Sequence, residues 1–208
     1  TVPHKTQVLR YVDEVDASAV ATGAANTLVR TTAGVRAHNT DAPALAEELV
    51  RVAGGERATF EGASAIVLGT GGAARAAIYA LATLGVSHIT VRGRKHKPEL
   101  DQVLDVFRRA GRAIVLEHGS LAAADPGELR PKERADLRAI VQATTAGMDG
   151  SSVSGDVVCD GVNWESVHSA CVVLDVVYAP PRTPILHRAA ALGLRSDGGL
   201  GMLVRQGA

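Results

Sequence analysis

The sequence predicts an α/β protein in which helices cover both faces of a Rossmann-type parallel sheet, with a smaller α/β lobe beside it. From Ala63 onward, short apolar runs alternate with helical segments, and near-continuous apolar strands are typical of parallel sheets that are buried on both faces. A glycine-rich turn joins the first of these strands to its helix, which is the arrangement of dinucleotide-binding folds.

The first quarter of the chain is expected to form the smaller lobe. Residues 5–20 have the pattern of one or two short helical segments. The segments GAANTLVR, TTAG and VRAH predict a hairpin, because β-branched runs flank a glycine-containing turn. The segment NTDAPALAEELVRVAG predicts a helix, with Thr40 or Asp41 near the N-cap, Pro43 in the first turn and a glycine at its end. The segment GGERATFEG then predicts a hinge or linker.

The parallel sheet follows from Ala63. Its predicted strands are ASAIVLG, SHITVRG, RAIVLEHG, RAIVQATT and ACVVLDVVY. Its predicted helices are GGAARAAIYALATLG, PELDQVLDVFRRAG and PILHRAAALG, and LRSDGG closes the series. The polar stretch 119–139 predicts a solvated connection that contains a helix.

The composition excludes several classes of function. At 208 residues and 46% hydrophobic, the chain has enough apolar residues for one core plus a smaller lobe. Its 22 Lys and Arg balance its 22 Asp and Glu, so no overall field favours nucleic acid or an anionic membrane. The apolar runs are shorter than the ~20 residues that span a bilayer, and we expect no cleavable signal. The chain begins at Thr1 rather than Met, so we expect the natural protein to extend further at that end.

The cysteines and histidines give no metal or disulfide pattern. Cys159 and Cys171 lie outside any C-x-x-C motif, which favours a reducing cytoplasm over a disulfide framework or zinc knuckle. The seven histidines lack H-x-x-x-H spacing, so we expect no metal site. At this stage we expect a soluble, intracellular, globular protein.

The segment VLGTGGAARAA carries the signal for a dinucleotide. Gly69, Gly71 and Ala74 match G-x-G-x-x-A between a predicted strand and helix. Gly69 would allow the tight turn, Gly71 would let the backbone approach a pyrophosphate, and Ala74 would permit close packing of helix and strand. The N-terminus of the helix offers N–H donors and the positive end of its dipole. A tight turn that merely packs is the less favoured alternative.

The end of the second strand indicates which dinucleotide binds. An acid at this position would bond a ribose hydroxyl and select NAD. The chain instead has VRGRKHKPE, in which the basic residues Arg92, Arg94, Lys95 and Lys97 precede the first acid. Arginine can bind a phosphate bidentately, so this cluster favours NADP over NAD. A solvated basic loop is the alternative.

The chain resembles the shikimate dehydrogenase (shikimate 5-dehydrogenase) family in segments that follow the family's order: TVPHK, GAANTL, NTD, LGTGGAARAA, QATTAGM, DVVYAPPRTPIL and GGLGMLVRQGA. The resemblance implies NADPH-dependent, reversible reduction of 3-dehydroshikimate to shikimate, in the shikimate pathway of aromatic amino-acid (chorismate) biosynthesis. It also implies a substrate-binding lobe at 1–55, an NADP-binding Rossmann domain at 56–196 and a return to the substrate-binding lobe at 197–208.

The resemblance implies a role for individual residues. Lys5 and Asp41 match the family's catalytic pair. The residues that match substrate-contacting positions are Thr1, Asn26, Tyr178 and Gln206. The residues that we expect to bind the cofactor are Gly69, Thr70, Gly71, Gly72, Ala73, Arg92, Arg94, Lys95, Thr144, Met148, Val176 and Gly199.

The chain departs from the family pattern in several places. Gly93 stands where the family usually has Asn, and Lys95 where it often has Thr. Ala25 replaces a larger apolar residue, and NTDAPA lacks the glycines usual after the Asp. The family's first strand, its serine-containing carboxylate-binding loop and its final helix have no counterpart in this sequence. We therefore expect a fragment whose substrate-binding lobe is incomplete.

The expected chemistry needs a proton donor. Hydride transfer to a ketone leaves negative charge on its oxygen, which requires a proton or a cation. Lysine is protonated at neutral pH unless burial or neighbours change that, so Lys5 is a candidate donor that Asp41 would orient. If each residue is considered by itself, Lys5 could instead be a solvated surface charge. Asp41 could instead be a helix N-cap.

Other functions stay open at this point. A quinate/shikimate dehydrogenase would usually favour NAD, which the basic loop argues against. An aminoshikimate dehydrogenase paralogue is a second enzymatic alternative. A non-catalytic, dinucleotide-binding relative is the alternative from another class, and it predicts loss of the Lys–Asp pair. We expect a monomer or homodimer with a small-molecule substrate, shikimate or 3-dehydroshikimate, and no nucleic-acid or membrane partner.

Overall fold

The computed structural model describes residues 4–95, 97–121 and 133–207. Thr1 lies outside these residues, as does most of the polar stretch 119–139. The strands are β1 (Glu14–Val15), β2 (Thr27–Thr31), β3 (Gly34–His38), β4 (Ser64–Leu68), β5 (His88–Gly93), β6 (Val115–Ser120), β7 (Leu137–Gln142), β8 (Val172–Asp175) and β9 (Arg195–Asp197). The α-helices are α1 (Ala17–Thr22), α2 (Asp41–Val52), α3 (Gly72–Thr83), α4 (Glu99–Gln102), α5 (Asp105–Arg109), α6 (Asp156–Cys159), α7 (Pro184–Ala191) and α8 (Leu200–Gln206). Short 3₁₀-helices lie at Val8–Arg10, Arg57–Phe60 and Trp164–Ser166.

The larger sheet confirms the predicted Rossmann-type α/β fold. Its strand order is β6-β5-β4-β7-β8-β9, and all its pairs are parallel. The chain runs outward from β4 to β6 and then returns to the other side of β4. Such a reversal opens a crevice at the carboxyl ends of the strands. Leu68 is in register with both Arg92 and Gln142, so three strands end at one level.

Burial explains why β4 and α3 form where the sequence predicts them. Every residue of β4 is buried, as expected for a central parallel strand. Helix α3 is rich in alanine and packs against this strand. Ala74 is fully buried in the same core cluster as Ala65 and Val67. Its small side chain lets the helix approach the sheet closely, as the sequence predicts.

The smaller sheet has the order β1-β3-β2. Strands β2 and β3 pair antiparallel, which confirms the predicted hairpin. The prediction of only helical segments over 5–20 is wrong in part, because β1 pairs in parallel with β3 and puts Glu14 opposite Arg36. Helix α1 begins after β1, where Asp16 acts as N-cap and its Oδ1 accepts a hydrogen bond of 2.9 Å from the Ser18 N–H.

Helix α2 joins the two ends of the chain. Its Glu48 is fully buried, and Glu48 Oε2 accepts a hydrogen bond of 2.8 Å from Arg205 Nε on α8. Arg51 binds the other oxygen of Glu48 and also Asp197. Burial alone would raise the pKa of Glu48, but its hydrogen bonds with Arg51 and Arg205 hold that pKa below its ordinary value. The C-terminal helix is therefore fixed to α2 by buried charge.

Two further expectations differ from the structure. The single helix predicted after Pro98 is two short helices, α4 and α5, and the buried Val103 and Leu104 lie between them. The predicted linker GGERATFEG contains the 3₁₀-helix Arg57–Phe60, and Phe60 is fully buried in the main core. Burial of this aromatic ring ties the segment to the larger sheet. None of the described helices has both the length and the apolar character needed to cross a bilayer.

Candidate active site

A cavity of about 890 Å³ lies at the carboxyl edge of the larger sheet and reaches α2 and α8. We call it the cleft. The sequence-predicted residues that line it are Lys5, Asp41, Gly69, Thr70, Gly71, Gly72, Ala73, Arg94, Lys95, Thr144, Met148, Val176, Tyr178, Gly199 and Gln206. The fold thus brings together residues from nearly the whole length of the chain.

Lys5 and Asp41 form an ion pair at one end of the cleft. Lys5 Nζ donates to Asp41 Oδ2 over 2.6 Å, and the side chain of Lys5 keeps 25% of its surface exposed. Asp41 is the first residue of α2 and is 6% exposed. A carboxylate is stabilised at a helix N-terminus by the helix dipole. Asp41 therefore holds the side-chain amine of Lys5 at the cleft wall.

Asn26 supports this pair from behind. Its Nδ2 donates to Asp41 Oδ1 over 2.9 Å, and its Oδ1 accepts from the Thr40 N–H over 2.9 Å. Asn26 does not itself line the cleft. Asp41 therefore has a donor on each oxygen, Lys5 on one and Asn26 on the other. The alternative in which Asp41 only caps its helix does not account for these two bonds.

The glycine loop forms the floor of the cleft. Gly69 has φ +119°, and a Cβ there would come within 2.8 Å of both Ala143 O and Thr144 Cγ2. Only glycine both adopts this positive φ readily and lacks the Cβ that would clash. Gly71 is the N-cap of α3, and a Cβ on either Gly71 or Gly72 would meet open space. The start of a three-turn helix thus faces the cleft with room for a phosphate group.

The basic residues after β5 divide into two groups. Arg94, Lys95 and Lys97 line the cleft. Arg92 does not, because its guanidinium donates to both carboxylate oxygens of Glu133 at 2.8 Å and to Gly161 O at 2.6 Å. The structure therefore does not bring Arg92 to the cofactor site that its sequence position predicts. The guanidinium N–H groups that could bind a phosphate are already bonded to the Glu133 carboxylate.

Two buried polar residues at the base of the cleft were not predicted from the sequence. Gln142 ends β7 and Asp175 ends β8, and both are fully buried. Burial raises the pKa of Asp175 to about 6, although hydrogen bonds from Thr183 and Val177 oppose the rise. The available signal was a polar residue closing each apolar run. Gly93, noted above as a departure from the family pattern, also lines the cleft. The lining residues not singled out are Leu121, Ala143, Thr145, Val177, Met202 and Leu203.

Comparison with known proteins gives sequence relatives and solved structures of similar fold. No protein-family model matches the chain. The chain is 39% identical over 216 residues to shikimate dehydrogenase (NADP(+)) from Salinibacter ruber, covering 100% of this chain and 69% of that protein. It spans about two thirds of the length of the curated relatives it matches.

Solved structures with similar folds include a reductase and a dehydrogenase. The ligand-free 5-ketofructose reductase of a Gluconobacter strain has a TM-score of 0.79 and 28% identity, covering 100% of this chain and 68% of that one. Shikimate 5-dehydrogenase from Listeria monocytogenes, in complex with shikimate and NAD, has a TM-score of 0.78 and 27% identity, with the same coverage.

Proposed function

This chain belongs to the shikimate dehydrogenase (NADP(+)) family, and on that premise we propose that the natural protein interconverts 3-dehydroshikimate and shikimate with NADP(H). The observation that carries the proposal is the Lys5–Asp41 pair, which lines the same cleft as the glycine loop. We further propose that residues 1–55 and 197–208 form the substrate-binding lobe and 56–196 the NADP-binding domain. The protein would act in the cytoplasm, in the route to aromatic amino acids.

The residues of the cleft fit NADP. Open space at Gly71 and Gly72 and the start of α3 would accommodate a diphosphate. Arg94, Lys95 and Lys97 line the cleft at the end of β5 and would bind the 2′-phosphate, since guanidinium and ammonium groups both bind phosphate oxygens. The bound cofactor would supply the hydride, and every other step is assigned to the protein's own groups.

Lys5 acts as the acid in this mechanism. As the carbonyl carbon accepts a hydride, its oxygen gains negative charge, and the ammonium of Lys5 donates a proton to it. In the reverse direction the lysine accepts that proton from the hydroxyl. Asp41 lies 2.6 Å from Lys5 Nζ and holds the donor in place through both directions. Asn26 fixes the other oxygen of Asp41, so the carboxylate cannot rotate away from the lysine.

Tyr178 and Gln206 are the proposed substrate contacts within the described residues. Both line the cleft, and each offers polar atoms to the hydroxyl or carboxylate groups of shikimate. Tyr178 is 53% exposed, so its hydroxyl is accessible to a ligand. Asn26, also expected to contact the substrate, does not line the cleft. Thr1, the fourth expected contact, lies outside the described residues.

The experiment measures oxidation of shikimate by the natural full-length protein, through the absorbance of the NADPH that forms. NADP and NAD are compared as cofactors, and quinate is compared with shikimate as substrate. Turnover with shikimate and NADP that Lys5→Ala abolishes would support the reaction, the cofactor and the acid together. Turnover only with quinate and NAD would favour a quinate dehydrogenase. Dinucleotide binding without turnover would assign the protein to a non-catalytic class.

A further inference from the structure

Two adjacent strands of the larger sheet end in fully buried polar residues. Gln142 is the last residue of β7, Asp175 is the last residue of β8, and the two are paired in register. Both are fully buried. Polar groups are rarely buried without partners, because an unpaired one loses its hydrogen bonds to water. Each of these side chains finds its partners in the loop that follows its own strand.

The amide of Gln142 shapes the loop after β7. Gln142 Nε2 donates to Ala146 O over 3.1 Å, and its Oε1 accepts from the Thr144 N–H. Thr144 Oγ1 in turn accepts from the Ala146 N–H over 3.0 Å. This loop carries Thr145 and Met148 to the cleft wall. One buried amide therefore holds both sides of a turn against which the glycine loop packs.

The carboxylate of Asp175 does the same for the loop after β8. Its Oδ1 accepts from the Val177 N–H over 2.9 Å, and its Oδ2 accepts from Thr183 Oγ1 over 2.5 Å. Val176, Val177 and Tyr178 belong to this loop and line the cleft. The loops are also joined to each other, because the Val176 N–H donates to Gln142 O over 3.0 Å.

We propose that Gln142 and Asp175 are paired positioning residues, which set the two loops that shape the dinucleotide side of the cleft without contacting the ligand. Neither residue lines the cleft. Each is satisfied by the observed loop conformation, and a buried polar group left unpaired is costly. A displaced loop would therefore strand a buried amide or carboxylate. The inference deepens the proposed function, because it assumes that the cleft binds NADP(H).

The Gln142→Glu variant tests this role, because pH sets whether its new side chain is a neutral carboxyl or a carboxylate. The protonated carboxyl keeps the size of the amide, accepts from the Thr144 N–H and donates to Ala146 O, so it reproduces the native bonds. The ionised carboxylate has no donor for Ala146 O and adds charge to a buried place, where burial moves its ionisation to higher pH. NADPH binding to the full-length variant should match the wild type near pH 5. It should weaken about tenfold or more by about pH 8, the usual consequence of one unsatisfied buried group.

The wild type is measured across the same pH range. Asp175 is a titratable residue in register with Gln142 and is present in both proteins. The ratio of their dissociation constants therefore reports what the new carboxyl adds, including its coupling to Asp175. NADPH fluorescence measures this ratio without any turnover. A ratio that is independent of pH would overturn the role of Gln142.

Asp175 is tested by a conservative and a truncating variant. Asp175→Asn keeps an acceptor for the Val177 N–H and should bind NADPH within about threefold of the wild type. Asp175→Ala leaves both loop donors unpaired and should bind about tenfold more weakly. The matched control is Ser64→Ala, since Ser64 is a buried polar residue at the opposite end of β4 whose Oγ donates to Asp136 over 2.9 Å.

The possible outcomes separate a positioning role from a purely structural one. If Ser64→Ala and Asp175→Ala lower the melting temperature alike but only Asp175→Ala weakens NADPH binding, positioning is supported. Equal binding in both variants would reduce Asp175 to a structural role and overturn the proposal. Failure of the wild type itself to bind NADPH would instead refute the proposed function, and the positioning role with it.

Discussion

Lys5 Nζ and Asp41 Oδ2 are 2.6 Å apart although 36 positions separate the two residues in the chain. The β2–β3 hairpin lies between them and returns the chain to the start of α2. The Ala25 N–H donates to Lys5 O over 2.8 Å, which anchors the lysine segment beside this hairpin. The ion pair is thus a product of backbone structure as well as of charge.

We expect Lys5→Ala to lower kcat about 10²–10⁴-fold, the usual contribution of a positioned acid–base group, with a smaller change in KM. Steady-state kinetics of the full-length protein with shikimate and NADP would measure the effect. Arg10→Ala is the matched control, because it removes an exposed cation from the same N-terminal segment. Near-normal kcat in Lys5→Ala would remove the lysine from the mechanism.

We expect Arg94→Ala to raise the KM for NADP about 10–100-fold and to change the KM for NAD little. Arg94 lines the cleft, and hydrogen bonds to a charged group contribute about 1.5–3 kcal/mol. NAD lacks the 2′-phosphate, so its binding does not include the contact that the variant removes. The ratio of kcat/KM for the two cofactors is the measurement. An equal loss with both would mean that Arg94 does not read the 2′-phosphate.

We expect Arg92→Ala to act on stability rather than on cofactor choice. The change removes the cation paired with Glu133, whose side chain is 5% exposed and keeps only the Asn163 N–H among its hydrogen bonds in the described residues. Breaking a buried ion pair costs up to about 3–5 kcal/mol. Chemical denaturation would report the loss. The ratio of NADP to NAD efficiency should stay close to the wild-type value. A selective loss of catalytic efficiency with NADP would indicate that Arg92 contacts the cofactor.

We expect Gly93 and Thr70 to depend on each other. A Cβ at Gly93 would overlap Thr70 Cγ2, which lies 2.4 Å from its ideal position. Gly93→Ala should therefore displace the phosphate loop and weaken NADP binding, whereas the double variant with Thr70→Ala should recover most of the loss. Residues in contact show coupling energies of about 0.5–3 kcal/mol in such cycles.

Gly119→Ala is the control for that cycle. Gly119 lies on the neighbouring strand β6, where a new Cβ would make only ordinary contact at 3.5 Å with Arg92. Additive effects of Gly93→Ala and Thr70→Ala would contradict the interlocking of the two positions.

The stability of the protein should respond to pH through Asp175. Its folded pKa of about 6 lies above the ordinary 3.8, so the associated stabilisation is fully present below about pH 3.8 and is lost as pH rises through about 6. Asp175→Asn does not titrate. The free energy of unfolding of the variant, relative to the wild type, should rise by about 2 kcal/mol between about pH 4.5 and about pH 7.5. A difference that does not vary with pH would contradict the raised pKa.

Most of the fold follows from local patterns. The buried β4, the glycine turn and α3 are neighbours in the chain, so the sequence alone predicts their arrangement. The same holds for the hairpin of β2 and β3. Lys5 and Asp41 became candidates only through resemblance to a family, because nothing local distinguishes them from surface charges.

The errors arise where a distant partner decides the structure. Arg92 belongs by sequence to a basic cluster, but Glu133, 41 positions away, binds its guanidinium. Gln142 and Asp175 lie side by side only because β7 and β8 pair in parallel. The break between α4 and α5 occurs without a glycine or proline to mark it. Strand order and ion-pair partners are properties of the assembled molecule, which patterns along the chain do not specify.

The ion pair between Glu48 and Arg205 also has a consequence for synthesis on the ribosome. Arg205 follows Glu48 by 157 positions, and at ~5–20 residues per second this stretch takes roughly 8–30 s to translate. During that interval the carboxylate of Glu48 can pair with Arg51 but not with Arg205. The larger sheet can assemble in the meantime from strands that are already complete. The end of the cleft that α2 and α8 enclose therefore forms only after strands β4 to β9 have been synthesised.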